Sequence, residues 1–305
     1  MWRRVAEAAL VPVLILLWSA MPGCSSTPDE GAAPEAAEAK KEAGLFEAVP
    51  EQGKGGNFGR ETDPDQLFIQ LDRQLRNARD PNTSSVAVIK MRPILNRYVD
   101  ANFDLVDHAI GGKNGRHRLI AAWALGYSTN PRALPLLLGL LNDPSPRIRC
   151  NALYSIANLG DPDTPLALLV ARFSDEDPAV RVNAARAVRD TLPAGGGLEA
   201  VVPLTGLLAD KDPRVRLAAV GALGRMNRAE CFGYLVNALD DEKPLVRAQA
   251  ALALGKSRDP EAVRHLINAL KHEKNPTAGH SLLKSLESLT GQHYEKRSEW
   301  LIWWQ

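Results

Sequence analysis

One frame of seven residues recurs down the chain: an aspartate, a proline three residues later, and an arginine three residues after that. The copies are Asp143-x-x-Pro146-x-x-Arg149, Asp175-x-x-Pro178-x-x-Arg181, Asp210-x-x-Pro213-x-x-Arg216 and Asp241-x-x-Pro244-x-x-Arg247. Their arginines lie 32, 35 and 31 residues apart. A period of this length indicates a structural unit repeated along the chain, in which each unit contacts mainly its neighbours. We therefore expect an extended array with a long surface, and we do not expect catalysis.

Small or apolar residues follow each arginine at offsets of three, six and seven. These positions hold Ala152, Ala184, Ala219 and Ala250; then Ser155, Ala187, Ala222 and Ala253; then Ile156, Val188, Leu223 and Leu254. Spacings of three, four and seven trace one face of an α-helix, which we call the first helix of each unit. Alanine on that face lets a neighbouring helix approach closely. Gly224 and Gly255 come eight residues after their arginines, and glycine suits the left-handed end of a helix.

A second helix with an apolar stripe completes each unit. Its stripe positions are Leu134, Leu137, Leu138 and Leu141; Leu166, Leu169, Val170 and Phe173; Val201, Leu204, Thr205 and Leu208; Phe232, Leu235, Val236 and Leu239; and Val263, Leu266, Ile267 and Leu270. A further copy of the frame is centred on Arg118, where Gly112 and Gly115 replace the aspartate and the proline. The unit is thus predicted to be a helix, a turn, a second helix and the aspartate-proline-arginine turn.

On these residues the chain resembles the HEAT-like repeats named after the phycobilisome lyases, from about residue 110 to residue 290. The resemblance implies an all-α fold, a right-handed α–α superhelix (HEAT-like solenoid) of about five to six two-helix repeats with helical caps. Proteins with such repeats include lyase subunits, scaffolds and binders of many kinds. The function we expect is a scaffold, and the alternative is an accessory subunit of a lyase-like or other enzyme.

The resemblance also implies a structural role for the charged residues of the frame. Asp143, Asp175, Asp210 and Asp241 would cap helices or pair near Arg118, Arg149, Arg181, Arg216 and Arg247, which form a ladder between units. The residue types agree with this role. An aspartate before a helix can accept hydrogen bonds from exposed amides, proline suits the first turn, and a guanidinium can satisfy carbonyls or carboxylates. A row of arginines that binds phosphates is the alternative.

The first residues of the chain have the layout of a secretory signal. Arg3 and Arg4 precede a mostly apolar run at 8–20, which is too short to span a bilayer comfortably. Gly23 and Cys24 at its end resemble a bacterial lipobox, which implies removal of residues 1–23 and a lipid on Cys24. We therefore expect a lipid-anchored protein of the bacterial cell envelope, and Ser25 favours the periplasmic face of the outer membrane by the enterobacterial sorting pattern. An ordinary cleaved signal and an uncleaved anchor are the alternatives.

Two segments separate this signal from the repeats. Residues 24–65 are rich in Ala, Glu, Gly and Pro, a composition typical of a flexible linker, and they carry ten acidic against four basic residues. Residues 66–109 are predicted to form an N-terminal helical cap. Leu67, Phe68, Leu71 and Leu75 mark one apolar face, and the apolar content continues past a helix break at Pro93. The repeats then occupy residues 110–289.

Residues 290–305 hold Trp300, Trp303 and Trp304, half of the six tryptophans in the chain. This segment resembles a Leu-Thr-Gly and Trp-x-x-Trp-Trp tail found at the ends of other bacterial HEAT-like repeat proteins. Because the tryptophans have helical spacing, we predict that they fold over the open end of the last unit. An aromatic anchor for a partner or for a membrane interface is the alternative. The ladder is expected to stop before this segment, because Ala278 stands 31 residues after Arg247.

No pattern in the sequence predicts catalytic residues, a metal site or a cofactor. Cys150 and Cys231 belong to units too far apart for a disulfide, and the histidines lack the spacing of zinc ligands. Motifs for nucleotide binding or for an activated serine do not occur in the sequence. We expect no small-molecule substrate. We also expect no nucleic acid, because the excess of positive charge in the repeats is small and the export signal points to another compartment.

The face of the second helices opposite the stripe is the predicted partner site. Its residues are Leu136, Gly139 and Leu140; Leu168, Ala171 and Arg172; Pro203, Gly206 and Leu207; Tyr234, Asn237 and Ala238; and His265, Asn268 and Ala269. In HEAT-like arrays the second helices are expected to line the concave side. We therefore predict a groove for a protein or peptide partner, contacted by Leu136, Leu168, Arg172, Tyr234 and His265. A concave side that is narrow or covered, and needs no partner, is the alternative.

Overall fold

The computed structural model describes residues 63–79, 85–192 and 197–305. The signal-like segment, Cys24 and almost all of the predicted linker lie outside the described residues. Within the described ranges the chain forms fifteen α-helices with short 3-10 turns and no β-strand, as the sequence predicts. The contacts divide the chain after Asn130 into two compact units. Residues 110–130, with the Arg118 copy of the frame, fall in the first unit, and the predicted domain bounds stay a prediction.

In the first unit the helices are α1 (Pro64–Arg79), α2 (Ser85–Ala101), α3 (Phe103–Gly111) and α4 (Gly115–Ala124). In the second unit they are α5 (Ala133–Gly139), α6 (Pro146–Leu159), α7 (Leu166–Val170), α8 (Pro178–Thr191), α9 (Leu198–Gly206), α10 (Pro213–Met226), α11 (Phe232–Asn237), α12 (Pro244–Lys256), α13 (Glu261–His272), α14 (Pro276–Thr290) and α15 (Arg297–Trp304). The even-numbered helices from α6 to α14 are the first helices of the repeats, and the odd-numbered helices from α5 to α13 are the second helices.

The first unit packs its helices around an apolar core. Leu67, Phe68 and Leu71 of α1 are buried, as their spacing predicts. The predicted break at Pro93 is wrong, because α2 runs through this proline. The ring of Pro93 is exposed, so the packed interior does not have to accommodate it. The Phe68 ring stacks on His117 of α4 with ring centroids 4.5 Å apart.

Each first helix of the second unit begins at the proline of the frame. The residue before that proline is the N-cap, and in α8 and α10 its aspartate accepts a hydrogen bond from a backbone amide of the first turn. The frame aspartates lie two residues ahead of the N-cap and do not cap the helix. Their carboxylates accept instead from the amide of the N-cap residue, as in Asp210 Oδ1 and Asp212 N at 2.8 Å. This short turn fixes how the chain enters each first helix.

The predicted face of the first helices forms the core of the second unit. The twelve positions at offsets three, six and seven from the arginines are all buried, with exposures of 4% or less. Successive first helices pack closely along their length. The interpretation of Gly224 and Gly255 as left-handed helix ends is wrong, because both lie inside helices. They permit close packing instead: a Cβ on Gly224 would lie 2.5 Å from the Cβ of Ala253.

The second helices are short and most of them end in a 3-10 turn. After α5 and α9 this turn begins with Leu140 and Leu207. Both are predicted to lie on the exposed face, and the prediction is wrong for them, because both are buried. A 3-10 turn has three residues per turn, so Leu140 falls on the face of Leu137 and Leu207 on the face of Leu204. The predicted exposed row therefore loses these two leucines.

The second helices have far fewer contacts with one another than the first helices do. Within residues 131–305 the first helices therefore form the closely packed layer, as the approach of Gly224 to Ala253 shows. The expectation that the second helices line the concave side stays a prediction.

Candidate binding surface

The arginines of the frame join neighbouring repeats in a ladder. Each donates to a carboxylate of the following repeat, with distances of 2.7 Å from Arg149 Nη2 to Asp175 Oδ1, from Arg181 Nε to Asp210 Oδ2, from Arg216 Nε to Asp241 Oδ2 and from Arg247 Nε to Glu273 Oε2. The last three pairs are bidentate, since Nη2 donates to the second carboxylate oxygen. The ladder holds the register between repeats.

A second bond ties each arginine to its own turn. Nη1 donates to the carbonyl oxygen six residues earlier, in Arg149 to Asp143, Arg181 to Asp175, Arg216 to Asp210 and Arg247 to Asp241. Arg118 makes the same bond to Gly112, at 2.7 Å. A backbone carbonyl is available whatever the side chain, and so a glycine can take the place of the aspartate for this bond. The arginines thus have their donors directed into the fold, away from any phosphate.

Ion pairing sets the ionisation of the ladder. Burial disfavours the charged form of Asp210, but the hydrogen bonds from Arg181 and from the Asp212 amide outweigh it and lower the pKa of Asp210. The same balance, with Arg216 and the Lys243 amide as donors, lowers the pKa of Asp241. These carboxylates therefore stay charged at neutral pH.

The ladder extends one rung further than the sequence pattern predicts. Glu273 takes the position of the frame aspartate before α14, and Arg247 holds its carboxylate and lowers its pKa. The position that matches the arginine is Gly279, three residues after Pro276, and not Ala278. The carbonyl oxygen of Glu273 accepts from Arg297 of α15 instead. A glutamate in place of an aspartate conceals this rung in the sequence.

The predicted partner row lies on the outward side of the second helices. Leu168 and Tyr234 are 44% and 42% exposed, and Leu136, Pro203 and His265 are half-buried. The row remains a prediction as a partner site, but its residues do share one register and one side of the unit.

Two residues that the prediction omits enlarge this apolar face. Val202 is 76% exposed and Leu198 is 51% exposed, both on α9. The run Ala-Val-Val-Pro-Leu at 200–204 is apolar throughout, so the pattern alone does not separate its exposed valine from its buried one. Among the exposed and half-buried residues of α5, α7 and α9, Glu199 is the one charged residue. The surface of these three helices is thus apolar and nearly without charge, and the half-buried Arg172 directly after α7 adds one cation beside it.

Arg172 is half-buried and makes bonds within the array. It follows α7, and its Nη1 donates to the carbonyl oxygen of Leu141 and to Oδ1 of Asn142, at 3.0 Å and 3.2 Å. These bonds link one repeat to the preceding repeat. Its predicted contact with a partner stays a prediction.

A cleft of about 410 Å³ lies between two successive second helices, α11 and α13. It is lined by Phe232, Gly233, Tyr234, Val236, Asn237 and His265. The rings of Phe232 and His265 meet edge to face with centroids 5.9 Å apart. The cleft brings together two members of the predicted row, Tyr234 and His265, with apolar walls and polar groups at the rim.

The cysteines offer no activated nucleophile that the structure describes. Cys150 and Cys231 form no disulfide in the described ranges, and burial raises the pKa of Cys231, which keeps it protonated. No group of three histidine, cysteine, aspartate or glutamate side chains in the described ranges is placed to hold a metal ion. Among the described helices, none combines the length and the apolar character needed to cross a membrane.

The C-terminal helix α15 packs against α13. Trp300 is fully buried, and its Nε1 donates to the carbonyl oxygen of Tyr294 at 3.0 Å. Trp303 and Trp304 are 38% and 42% exposed, and Ile302 is more exposed still. One tryptophan of the tail thus belongs to the core while its two neighbours face outward in part.

Comparison with known proteins agrees with this architecture. The protein is similar in structure to YibA of Escherichia coli, with 19% identity over 86% of this chain and 88% of that one and a TM-score of 0.54. It is also similar to Kap121p, with 15% identity over 74% of this chain and 29% of that one and a TM-score of 0.55. At these identities the likeness shows the fold alone.

The match to the complex of CpcE and CpcF of phycocyanin lyase from Nostoc sp. has 20% identity over 79% of this chain and 99% of that one, with a TM-score of 0.41. A score of this size does not establish a common overall fold. No match was found among curated protein sequences. The family model for HEAT repeats matches residues 104–189 and 200–287, which is more than half of the chain. The chain therefore belongs to the HEAT-repeat family.

Proposed function

We propose that this protein is a HEAT-repeat scaffold without catalytic activity that binds a protein or peptide partner on the outward face of its second helices. Cys24 carries a lipid that holds it to a membrane of the bacterial envelope. The observation that carries the proposal is the apolar face of α5, α7 and α9, where Leu168 and Val202 are exposed and charge is nearly absent.

A solvated helix face normally carries charged residues, because they cost little there and keep the protein soluble. The chain as a whole is 24% charged, so their scarcity on this face is local. The members of the predicted row recur once per repeat along this face. Exposed apolar surface of this kind is typical of protein interaction sites.

Photo-crosslinking in the cell tests the proposal. A photoreactive phenylalanine placed at Leu168 or at Val202 should give one and the same covalent adduct, of defined mass. The same probe at Lys256, an exposed residue at the end of a first helix, is the matched control and should give no such adduct. Leu168→Asp is combined with the probe at Val202, and Val202→Asp with the probe at Leu168. Loss of the adduct in such a variant, with an unchanged unfolding temperature, would support a direct contact. Identical adducts from all three positions, or none, would remove the proposal.

Lipid anchoring has its own test. Wild-type protein should incorporate radiolabelled palmitate and fractionate with membranes. The Cys24→Ser variant should not incorporate the label, and it should accumulate as the full-length precursor. A cytosolic protein with an intact N-terminus would contradict the envelope location. It would leave the binding face unaffected, because no residue of that face depends on the anchor.

A further inference from the structure

The cleft between α11 and α13 has two polar groups at its rim without a partner. The side-chain amide of Asn237 and the hydroxyl of Tyr234 make no hydrogen bond in the part of the chain that the structure describes, and both side chains are exposed. The amide offers both a donor and an acceptor, which is the pattern that a peptide backbone can satisfy. The walls beside them are apolar, formed by Phe232 and Val236.

A cation stands beside the same cleft. Arg264 Nη2 lies 3.4 Å from Nε2 of His265, and because a guanidinium can only donate, the imidazole nitrogen accepts. Arg264 is exposed, and it makes no ion pair with a carboxylate of the described residues. The acidic residue on its own helix, Glu261, lies one turn earlier and also forms no ion pair with Arg264. A carboxylate at the rim would find charge-assisted donors there.

We propose that this cleft binds one large apolar side chain of an extended peptide that carries a glutamate or aspartate within two residues of it. The inference rests on the proposed scaffold function and names the chemistry of its partner. The apolar side chain enters between Phe232 and Val236, the peptide backbone pairs with Asn237, and the carboxylate meets Arg264. A cleft of about 410 Å³ is large enough for leucine or an aromatic side chain.

Gly233 allows the cleft to be blocked from inside. It lines the cleft, and a Cβ built on it meets no atom within 4 Å. Gly233→Met should therefore place a side chain in the cleft without disturbing the core, and the loss of a helical glycine favours folding. Gly111→Met is the matched control, because Gly111 of α3 is also an exposed helical glycine with no atom within 4 Å of a Cβ built on it, and it lies outside the predicted partner row.

The probe is a pool of fluorescein-labelled peptides of serine and glycine, with leucine, phenylalanine or tryptophan at the centre and a glutamate two residues later. Fluorescence anisotropy with the purified full chain should show saturable binding to wild type and to Gly111→Met. Binding to Gly233→Met should be at least tenfold weaker. A pool with alanine at the centre should bind wild type at least tenfold more weakly than the first pool.

Arg264→Glu provides a second variant on an exposed side chain. It should weaken binding of the glutamate pool about tenfold and strengthen binding of a pool with lysine in place of glutamate, with thermal unfolding unchanged. Equal binding of the glutamate pool to wild type, Gly233→Met and Arg264→Glu would overturn the inference, and so would no binding of any pool. Crosslinks at Leu168 would persist in either case, so failure at the cleft is distinguishable from failure of the scaffold proposal.

Discussion

Arg297 donates a hydrogen bond from Nη2 to the backbone carbonyl oxygen of Glu273, the atom that an arginine six residues later would hold in an inner repeat. That later position is Gly279 in the last repeat. The C-terminal helix thus returns to the end of the array and supplies the missing guanidinium. It closes the array with the same bond that the inner repeats make for themselves.

We predict that Arg297→Ala lowers the free energy of unfolding by about 1.5–3 kcal/mol, the usual range for one hydrogen bond that involves a charged group. Adding Gly279→Arg should recover most of this loss, because a side chain at 279 has open space and the inner-repeat geometry then becomes available. Urea unfolding followed by circular dichroism measures both effects. Gly279→Ala in the same background is the control, since it raises helix propensity without a donor. Equal recovery by alanine and by arginine would contradict the role assigned to Arg297.

The ladder should stabilise the fold through matched pairs. The side chains of Arg181 and Asp210 are each 9% exposed, so Asp210→Asn leaves a buried guanidinium without its charge partner. Breaking such a pair on one side costs roughly 3–5 kcal/mol. The double variant Arg181→Leu and Asp210→Leu should be less destabilised than the single variant, because no buried charge then remains unpaired. Unfolding of the three proteins in guanidinium chloride decides the point, and a double variant that is less stable than Asp210→Asn would refute the prediction.

The same pair should make stability depend on pH in the acid range. The folded-state pKa of Asp210 is below its ordinary value of 3.8, so the stability from this carboxylate is present above pH 3.8 and is lost as the pH falls through the folded-state pKa. The pKa values of Asp241 and of Glu273, whose ordinary value is 4.5, are also lowered in the folded state, so these carboxylates make stability fall with pH in the same direction. We expect the denaturation midpoint in urea to fall as the pH drops below 4.5 and then through the lowered pKa values of these carboxylates, and to fall less in Asp210→Asn. Parallel curves for the two proteins would show that Asp210 does not carry the effect.

The repeat and its core could be predicted from sequence because each position of the pattern is under the same constraint in every unit. Ala152 and Ile156, for example, are buried for the same reason as their equivalents in the other repeats. Helical spacing is a local property of the chain, so it can be recognised in the sequence. The ladder can be predicted because its Asp and Arg residues recur at a regular spacing.

The features that escaped prediction depend on geometry between elements. Leu140 is buried because the last turn of α5 tightens into a 3-10 turn, which an α-helical projection does not show. Whether the first or the second helices pack more closely with one another depends on contacts between whole helices. The residue pattern of one helix does not reveal it. Arg297 lies 18 residues beyond Gly279, outside any repeat register, so no periodicity connects it with the bond it makes.

Close packing of the first helices should make two sorts of glycine respond in opposite directions. A Cβ on Gly224 would lie 2.5 Å from the Cβ of Ala253, so Gly224→Ala should destabilise the protein by about 1–3 kcal/mol through overpacking. Adding Ala253→Gly to the Gly224→Ala variant should restore part of the lost stability. Gly139→Ala, with open space around its Cβ, should instead raise stability by about 0.5–1 kcal/mol. Thermal unfolding of the variants tests the packing, and a stabilising Gly224→Ala would show that α10 and α12 are not held this closely.

The tryptophans of α15 should differ sharply in what they contribute to stability. Trp300 is fully buried, its ring meets Tyr294 edge to face with centroids 5.1 Å apart, and its indole N–H has a carbonyl partner. Trp300→Ala should therefore cost about 3–5 kcal/mol. Trp304→Ala should cost less than about 1 kcal/mol, because 42% of that side chain is already exposed. Differential scanning calorimetry of both variants measures the contrast. If the two substitutions lower the unfolding temperature equally, the end of the array is not closed by Trp300.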